Sequence, residues 1–331
     1  MKATAQAHSN IALVKYWGKR DEKLILPYNS SVSMTLDKFF TVTTVEFDKK
    51  YKEDEFVLNG KKVFGIEAEQ VKAHLDIVRS MAKIGLNAHV QSENNFPTAA
   101  GLASSASGMA ALTMAAAKAA GLNLDKKELS ILSRQGSGSA SRSIFGGFVE
   151  WPMGKALDGR DSFGVQIAKE LHWPEFRMIV CIVKGWEKKW KSRAGMTQSV
   201  ATSPFFGRWA QTAEDDAKEL KKAVLEKNFK KVGEIAEQNA LKMHATMITT
   251  NPSIIYWHPV TVEIIQNVLQ WRQEEWLEGY FTMDAGPQVK VMCLEKHEKD
   301  LVKRLGQISG IEKIEVCRAG PDAEMLDRHL F

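Results

Sequence analysis

Cysteine is scarce in this sequence, and long hydrophobic runs are absent from it. The three cysteines, Cys181, Cys293 and Cys317, lie far apart and form no CxxC pair, which excludes a disulfide framework and a zinc ribbon. No run reaches the roughly 18 apolar residues of a membrane-spanning helix, and the N-terminus has no apolar stretch of signal-peptide length. We therefore expect a reducing compartment, a cytoplasmic location and no membrane partner.

Proline is also rare, and neither sign of charge dominates. The 331 residues include 9 prolines, 45 Lys and Arg and 40 Asp and Glu. This composition is typical of a globular protein and not of a disordered one. The length predicts about two domains, or one large unit with two lobes. We expect lobes at residues 1–184 and 185–331. The net charge of +5 suits anionic small molecules as well as nucleic acid, so charge alone does not identify the ligand.

Local patterns predict a mixture of strands and helices. Phe39–Phe47 is rich in β-branched and aromatic residues, as strands are, and residues 101–120 form a small-residue helix that ends at a glycine. Apolar residues at three- and four-residue spacing between Gln211 and Met247 predict two helices hinged near Asn228, and residues 185–196 resemble a loop. The other expected elements are strands at Ala88–Ser92, Arg177–Val183, Gly279–Met283, Val289–Leu294 and Glu312–Cys317, and helices at Val262–Trp271 and Lys296–Leu305.

The segment 97–108, PTAAGLASSASG, is the most informative stretch. Its small residues let the backbone approach a ligand closely, and its serines offer hydroxyls where a helix begins, which is an anion-binding arrangement. The Walker pattern GxxxxGK[ST] is absent, so the segment is not a P-loop of the common kind. The alternative is a helix whose small residues only permit close packing.

A second segment, 136–147 with the sequence GSGSASRSIFGG, holds Arg142 among serines and glycines. A guanidinium in that setting favours a carboxylate or phosphate ligand, with neighbouring hydroxyls as further donors. The alternative is a surface turn with a solvated arginine. Asp284 ends an apolar strand in FTMDAGP, where a carboxylate can be aimed into a cleft, or can simply cap a turn.

Basic clusters occur in KYWGK, residues 15–19, and EKKWKSR, residues 187–193. They suit a multiply charged phosphate ligand, although Lys189 and Lys191 taken singly read as solvated loop residues. His244 stands alone on a helix, where histidines are usually structural. Because no histidine or carboxylate cluster has metal-ligand spacing, we expect any metal to arrive with phosphate oxygens, as Mg²⁺ does.

Five segments in order, NIALVKYWGKRDEKLILPYNSSVSMTL, NNFPTAAGLASSASG, GSGSASRSIFGGFVEW, KSRAGM and FTMDAGP, resemble the diphosphomevalonate decarboxylases. That family belongs to the GHMP superfamily of galactokinase, homoserine kinase, mevalonate kinase and phosphomevalonate kinase. The resemblance implies an α+β fold of two GHMP kinase-like lobes with the active site in the cleft between them. It also implies ATP-dependent decarboxylation of mevalonate 5-diphosphate to isopentenyl diphosphate, ATP and Mg²⁺ as cofactors, no nucleic-acid partner and, from many relatives, a homodimer.

The resemblance also implies roles for individual residues. Asp284 orients or deprotonates the 3-hydroxyl, Arg142 holds the substrate carboxylate, and Lys15 lies near both. Ser105 contacts the nucleotide phosphates and Ser107 lies near the metal. The further substrate-binding residues are Asn10, Tyr16, Lys19, Ser139, Ser192 and Arg193, and the ATP-binding residues are Pro97, Ala100, Gly101, Leu102, Ala103, Ser104, Ser105, Ser107 and Lys188.

One departure from the family pattern concerns substrate choice. Bacterial members commonly read SSR before GM, whereas this chain has Lys191, Ser192 and Arg193, preceded by Trp190. An intruding lysine or tryptophan could occupy the place of the β-phosphate, so mevalonate 5-phosphate, giving isopentenyl phosphate, is the alternative substrate.

Two further functions share parts of the pattern. A GHMP kinase that phosphorylates without decarboxylation would have the same glycine- and serine-rich segment, but Arg142 together with Asp284 disfavours it, because a decarboxylase must bind the carboxylate that it expels. A non-catalytic anion- or RNA-binding protein would concentrate its positive charge on one face, and the scatter of the basic clusters disfavours it.

Overall fold

The structure is a computed structural model that describes residues 1–96, 104–184, 190–274 and 276–331. Its strands are β1 (Lys2–Val14), β2 (Lys19–Asp21), β3 (Leu26–Pro27), β4 (Ser31–Phe47), β5 (Glu55–Leu58), β6 (Lys61–Lys62), β7 (Ala88–Asn94), β8 (Phe148–Trp151), β9 (Val165–Ala168), β10 (Phe176–Val183), β11 (Gly279–Met283), β12 (Val289–Leu294), β13 (Ile311–Cys317) and β14 (Glu324–Leu326). Its α-helices are α1 (Ile66–Ala82), α2 (Ser104–Ala119), α3 (Lys126–Gly136), α4 (Ser192–Thr202), α5 (Phe206–Leu225), α6 (Phe229–Ile248), α7 (Pro259–Glu274) and α8 (Glu295–Leu305). Short 3₁₀ helices lie at Gly138–Ser141 and Glu170–His172.

The strands form two main sheets. In the larger sheet β14, β1, β4, β7, β5 and β6 are neighbours in that order, while β8 pairs with β4 and β9. The smaller sheet has the order β11-β12-β10-β13. The pairing of β1 with β4 is antiparallel, and its register shifts between His8 and Asn10. Such an irregularity re-aims the side chains next to it, and Asn10 is one of the predicted site residues.

Three apolar clusters hold the sheets and helices together. One lies beneath α1, α2 and α3 against the first half of β1 and includes Val45 and Ala111. Another packs α7 and α8 onto the smaller sheet and includes Val268 and Leu301. The third joins β1, β4 and β10 to α5 and α6, with Trp17 among its members. The two sheets are therefore fixed to one another through buried apolar surface, which is the main source of stabilisation in a packed domain.

The predicted elements agree with the structure over most of the chain. The strands at 279–283 and 289–294 have the predicted limits, and Asn228 separates α5 from α6 and caps α6 by accepting a hydrogen bond from the backbone N–H of Lys231. The loop expected at 185–196 is wrong for its last residues, because α4 begins at Ser192. The whole of β1 escaped prediction, since nearly every position on it is buried and the alternation that marks a half-exposed strand is missing.

The α+β fold class is confirmed. Strand β10 pairs with β12 and β13, while the late strand β14 pairs with β1. The division of the chain at residues 184 and 185 stays a prediction, and the pairing of β10 favours a junction before Phe176. Within the described ranges, no helix is long and apolar enough to cross a membrane.

Candidate active site

A cavity of about 590 Å³ opens between the larger sheet and the helices α2, α4 and α6. Its wall includes most of the predicted site residues that the structure describes: Asn10, Lys15, Tyr16, Lys19, Ser104, Ser105, Ser139, Arg142, Ser192, Arg193 and Asp284. These residues are spread over 275 positions of the sequence, from residue 10 to residue 284, and the fold brings them to one place. Six further predicted ATP-binding residues lie outside the described residues: Pro97, Ala100, Gly101, Leu102, Ala103 and Lys188.

Asp284 and two lysines form the most strongly charged part of the wall. Asp284 directly follows β11, and Lys15 directly follows β1, so both side chains leave the ends of buried strands. Lys15 Nζ donates to Asp284 Oδ1 at 2.8 Å, and Lys290 Nζ, from β12, lies 3.1 Å from Asp284 Oδ2. Both lysines are 1% exposed. One ammonium group therefore lies on each carboxylate oxygen.

This arrangement shifts the pKa values of Lys15 and Asp284. Burial lowers the pKa of Lys15 to about 8, against the opposing attraction of Asp284. Burial alone would raise the pKa of Asp284, but Lys15 and Lys290 together hold it well below its usual range. The carboxylate is therefore ionised at neutral pH. Its Oδ1 accepts a hydrogen bond from Lys15, whereas its Oδ2 forms an ion pair with Lys290.

Arg142 follows the 3₁₀ helix at Gly138–Ser141 and is 2% exposed. Its Nε donates to Ser33 Oγ at 2.9 Å, its Nη1 to Ser31 Oγ at 2.7 Å and its Nη2 to Asn10 Oδ1 at 3.1 Å. A guanidinium has five N–H groups, so one remains on each terminal nitrogen. Within the described ranges no carboxylate lies within ion-pair distance of the guanidinium, and burial lowers the pKa of Arg142 only to about 10, so that it stays a cation.

The 3₁₀ helix packs closely against the rings of Trp151 and Tyr16, which leave no room for a side chain at Gly138. A Cβ on Gly138 would lie 2.6 Å from the Trp151 ring and 2.9 Å from Tyr16. Tyr16 packs edge-on against Trp151 with 4.7 Å between the ring centroids. Its hydroxyl is buried and has no hydrogen-bond partner within the described part of the chain, which makes it a donor for a ligand in the cavity.

The backbone around Lys15 is held from both sides. Asn239 on α6 accepts from the Lys15 backbone N–H at 2.8 Å, and Asn29 donates to the Lys15 carbonyl at 2.8 Å. Asn239 in turn donates to Asp216 of α5 at 2.7 Å, and Lys242 pairs with the same carboxylate. Asn239 and Asn29 are fully buried. Two helices of the C-terminal half therefore fix a lysine of the N-terminal strand.

The end of the cavity near α4 carries exposed cations. Lys191 and Arg193 are exposed and line the wall together with Ser192, the first residue of α4. The first N–H groups of a helix lack helical acceptors and favour anions. Arg193 Nη2 donates to the Gly136 carbonyl at 3.2 Å, and Lys19 pairs with Glu22. This end is accordingly built to receive negative charge.

The opposite end of the cavity begins with hydroxyls and continues over an apolar surface. Ser104 and Ser105, the first described residues of α2, line it. Ser107 does not, because it is fully buried and its hydroxyl is hydrogen-bonded to Thr41 at 2.8 Å. Beyond the serines the wall consists of side chains from β5, α1 and α2, most of them apolar: Phe56, Leu58, Val71, Met109 and Leu112. A flat apolar group of moderate size fits such a wall.

The described residues contain no group of three or more His, Cys, Asp or Glu side chains able to hold a metal ion. Ser104 and Ser105 present hydroxyl oxygens on the cavity wall. The assignment of Ser107 to the metal stays a prediction, and its hydroxyl lies behind the wall.

Comparison with known proteins identifies the family. Residues 7–164 match the model described as the diphosphomevalonate decarboxylase-like N-terminal domain, and residues 178–326 match the mevalonate 5-diphosphate decarboxylase C-terminal domain. The chain belongs to the diphosphomevalonate decarboxylase family. The family resemblance, the enzyme class and the GHMP kinase-like fold that the five sequence segments implied are confirmed.

Individual relatives extend over nearly the whole chain. The diphosphomevalonate decarboxylase of Candida albicans is 40% identical over 326 residues, covering 93% of this chain and 90% of the relative. The mevalonate diphosphate decarboxylase of Staphylococcus aureus superposes with a TM-score of 0.93 at 40% identity, covering 98% of each chain. The structure of MDDEF in complex with MVAPP, AMPPCP and magnesium superposes with a TM-score of 0.92 at 43% identity, covering 98% of this chain and 99% of that one.

Several residues of this decarboxylase-family site escaped the sequence analysis. Lys290 carried a signal, since a lysine within the apolar run VKVMCL requires a buried partner. Asn239 and Asp216 carried none, because polar residues on an amphipathic helix are ordinarily solvated. The apolar end of the cavity was also missed, since its side chains come from separate elements and resemble core residues in the sequence.

Proposed function

We propose that this chain converts mevalonate 5-diphosphate and ATP to isopentenyl diphosphate, ADP, phosphate and CO₂ in the described cavity. The observation that carries the proposal is the group of Lys15, Arg142 and Asp284 on the same wall as Ser104 and Ser105. The wall thereby combines a carboxylate that orients the acceptor hydroxyl, a cation that binds the substrate carboxylate and a helix end that binds phosphate. The GHMP kinases that do not decarboxylate have no need of the second of these groups.

ATP is bound at the end of the cavity formed by α1, α2 and β5. The adenine ring lies against the apolar wall that includes Phe56, Met109 and Leu112, and the phosphates extend toward Ser104 and Ser105 at the start of the described part of α2. The helix dipole and the hydroxyls favour the phosphate charge there. MDDEF has been solved with AMPPCP, an ATP analogue, and magnesium, which supports both cofactors. Bound Mg²⁺ supplies charge neutralisation on the phosphate oxygens.

Asp284 positions the 3-hydroxyl for attack on the γ-phosphorus. Two ammonium groups on its carboxylate make it a weak base, so it accepts the hydrogen bond of the hydroxyl and orients the oxygen during a loose, metaphosphate-like transfer. The O3–P bond forms as the bond from phosphorus to the ADP oxygen breaks, and the hydroxyl proton passes to an oxygen of the transferred phosphoryl group and from there to solvent. Lys15, next to the carboxylate at 2.8 Å, adds positive charge where the transferred group arrives.

Arg142 binds the carboxylate that is lost. Its two remaining N–H groups, one on each terminal nitrogen, match the two oxygens of a carboxylate in a bidentate pair. When the C3–O bond breaks and phosphate leaves with its electrons, the C1–C2 bond breaks and its electron pair forms the C2–C3 double bond. The carbon atom C1 departs as CO₂, so the charges and atoms balance without an oxidant or reductant.

The exposed cations near α4 bind the 5-diphosphate. Lys191 and Arg193 line that end together with Tyr16, the buried Lys19 and the first turn of α4. No carboxylate within the described ranges pairs with Lys191 or Arg193. Because Lys191 adds a positive charge at the wall, we expect it to favour the diphosphate, with its larger negative charge, over the monophosphate.

The deciding experiment measures ADP and CO₂ release with Mg²⁺-ATP and either mevalonate 5-diphosphate or mevalonate 5-phosphate at matched concentrations. We expect faster turnover of the diphosphate with equal amounts of ADP and CO₂. Faster turnover of the monophosphate would assign isopentenyl phosphate as the product. ADP release without CO₂ from either compound would leave a kinase.

Three further assignments remain proposals. A homodimer is tested by light scattering across a range of protein concentrations. A cytoplasmic location is tested by fractionation of the source cells. The lobe junction is expected at residue 184, whereas the sheet pairing favours a junction before Phe176. Expressing the two N-terminal fragments that these boundaries define, and comparing their thermal unfolding, distinguishes the two positions.

A further inference from the structure

Lys290 is a buried lysine that does not line the cavity as described. It lies in the middle of the smaller sheet, in register with Thr282 of β11 and Val180 of β10. Its Nζ lies 3.1 Å from Asp284 Oδ2 and donates to the Gln288 carbonyl at 3.2 Å. The ammonium group therefore contacts the carboxylate from behind, whereas Lys15 reaches it from the cavity side.

Stability does not account for a lysine at this position. Transferring an ammonium group into an apolar sheet is costly, and a buried ion pair replaced by apolar residues is often neutral or stabilising. On the same face of the sheet, the cross-strand partner Val180 and the residue Met292, two positions along β12, are fully buried and apolar, so a methionine would suit the surroundings. The cost of burying Lys290 must be offset by something other than folding.

The charged and titratable groups around Asp284 differ in whether they also line the cavity. Lys15 follows β1, Arg142 follows the 3₁₀ helix, and both belong to the wall that contacts substrate. His244 of α6 hydrogen-bonds to the backbone of Asp284, and burial lowers its pKa to about 3, so it is neutral at pH 7. Lys290 therefore differs from Lys15 and Arg142: it is a cation that contacts Asp284 without lining the cavity.

We propose that Lys290 is a positioning residue that acts through Asp284, fixing the orientation and the negative charge of its carboxylate for the transfer of the phosphoryl group to the 3-hydroxyl. With Lys290 on Oδ2 and Lys15 on Oδ1, the carboxylate plane cannot rotate without losing one ion pair. The inference rests on the proposed function, in which the ionised carboxylate orients the hydroxyl.

The test compares Lys290→Met with Lys290→Arg, and uses Lys313→Met as the matched control on β13 of the same sheet, where the lysine is exposed. Removal of an opposite charge at ion-pair distance raises a carboxyl pKa by about one to three units. In Lys290→Met we therefore expect the acid limb of the kcat profile to move upward by about one pH unit or more, with kcat at neutral pH about tenfold lower and KM changed less than about twofold. Lys290→Arg retains the charge and keeps the acid limb in place, and Lys313→Met behaves as the unmodified enzyme.

Two results would overturn the inference. One is an unchanged acid limb in Lys290→Met; the other is an equal loss of kcat in Lys290→Met and Lys290→Arg at every pH, which marks a packing role. If Lys290→Met does not fold, Lys290→Gln replaces it, because its side chain keeps a polar end group while the charge is removed. Failure of the unmodified enzyme to release CO₂ from mevalonate 5-diphosphate would instead contradict the proposed function, so the two failures are distinguishable.

Discussion

The part of the cavity that we assign to mevalonate 5-diphosphate has two ends, and the cations at these ends differ in exposure. At the reacting end Lys15, Lys290 and Arg142 are at most 2% exposed, and each has protein acceptors in place. At the end near α4, Lys191 and Arg193 are exposed, and the guanidinium of Arg193 donates to the Gly136 carbonyl. Burial of the first set of charges costs free energy of folding and fixes their positions, whereas the second set stays solvated.

The difference matches the two tasks. Stabilising a transferring phosphoryl group requires donors that are oriented before the reaction, since reorganisation during the step raises the barrier. Binding a flexible diphosphate requires only that positive charge be near, and exposed ion pairs contribute little each. Substitutions at the buried end should therefore lower kcat strongly, and substitutions at the exposed end should raise KM modestly.

The largest effect is expected at Asp284. Asp284→Ala removes the acceptor for the 3-hydroxyl, and we expect kcat to fall by about 100-fold or more. The dissociation constant of ATP should stay nearly unchanged, because the proposed hydrogen bond of Asp284 is to the hydroxyl and not to the nucleotide. Turnover assays and nucleotide titration measure the two quantities. Asp300→Ala, an exposed position on α8, is the control. Retention of more than about a tenth of the activity would show that Asp284 has no such role.

A smaller loss is expected at Asn239, which reaches the site only through the Lys15 backbone. Asn239→Leu removes the acceptor 2.8 Å from the Lys15 N–H and leaves a buried donor unpaired, at a cost of about 1–3 kcal/mol in the free energy of unfolding. We expect kcat to fall by about tenfold because Lys15 is no longer held. Denaturant unfolding and turnover are measured together with Asn267→Leu, a solvent-accessible position on α7. Lower stability with unchanged kcat would confine Asn239 to a structural role.

The alkaline pH dependence isolates Lys15. Since burial lowers its pKa to about 8, the cation is present below that pH and is lost as the pH rises through it. We expect kcat/KM, which reports the free enzyme, to fall by about tenfold per pH unit above about pH 8. Lys15→Arg, whose guanidinium stays charged, should move this limb to higher pH even if its maximal rate is lower. A limb that is unchanged in Lys15→Arg would assign the titration to another group.

The smallest effects are expected at the exposed end. Arg193→Ala should raise the KM for mevalonate 5-diphosphate by about fivefold, and Lys191→Ser by about twofold, with kcat nearly constant, because solvated charge pairs are worth about 1 kcal/mol or less. Both increases should shrink at high ionic strength, where the charges are screened. Initial rates at low and high salt measure this. A large fall in kcat in either variant would contradict the comparison, because it would show that an exposed cation contributes to the reaction step as well as to binding.

Much of the secondary structure was predictable because its signals are local. The boundary between α5 and α6 follows from Asn228, whose side chain caps the second helix, and β12 follows from its apolar run. The start of α4 was not predictable, since its first residues are the polar Ser192 and Arg193 and it has no side-chain cap. Strand β1 was missed because burial on both faces removes the alternating pattern on which strand prediction depends.

The sequence by itself determined the family, through five ordered segments, and with it which residue types face the substrate: a carboxylate after a strand, an arginine among serines and a glycine- and serine-rich helix start. Only the tertiary structure decided that Asp284 lies between two buried lysines, that Asn239 and Asp216 hold the Lys15 backbone and that the cavity continues over an apolar wall. Two of these contacts, Lys15 with Asn239 and Lys15 with Asp284, join residues more than 200 positions apart. Local chain preferences do not specify such distant pairs, which form when buried apolar surface brings the two sheets together.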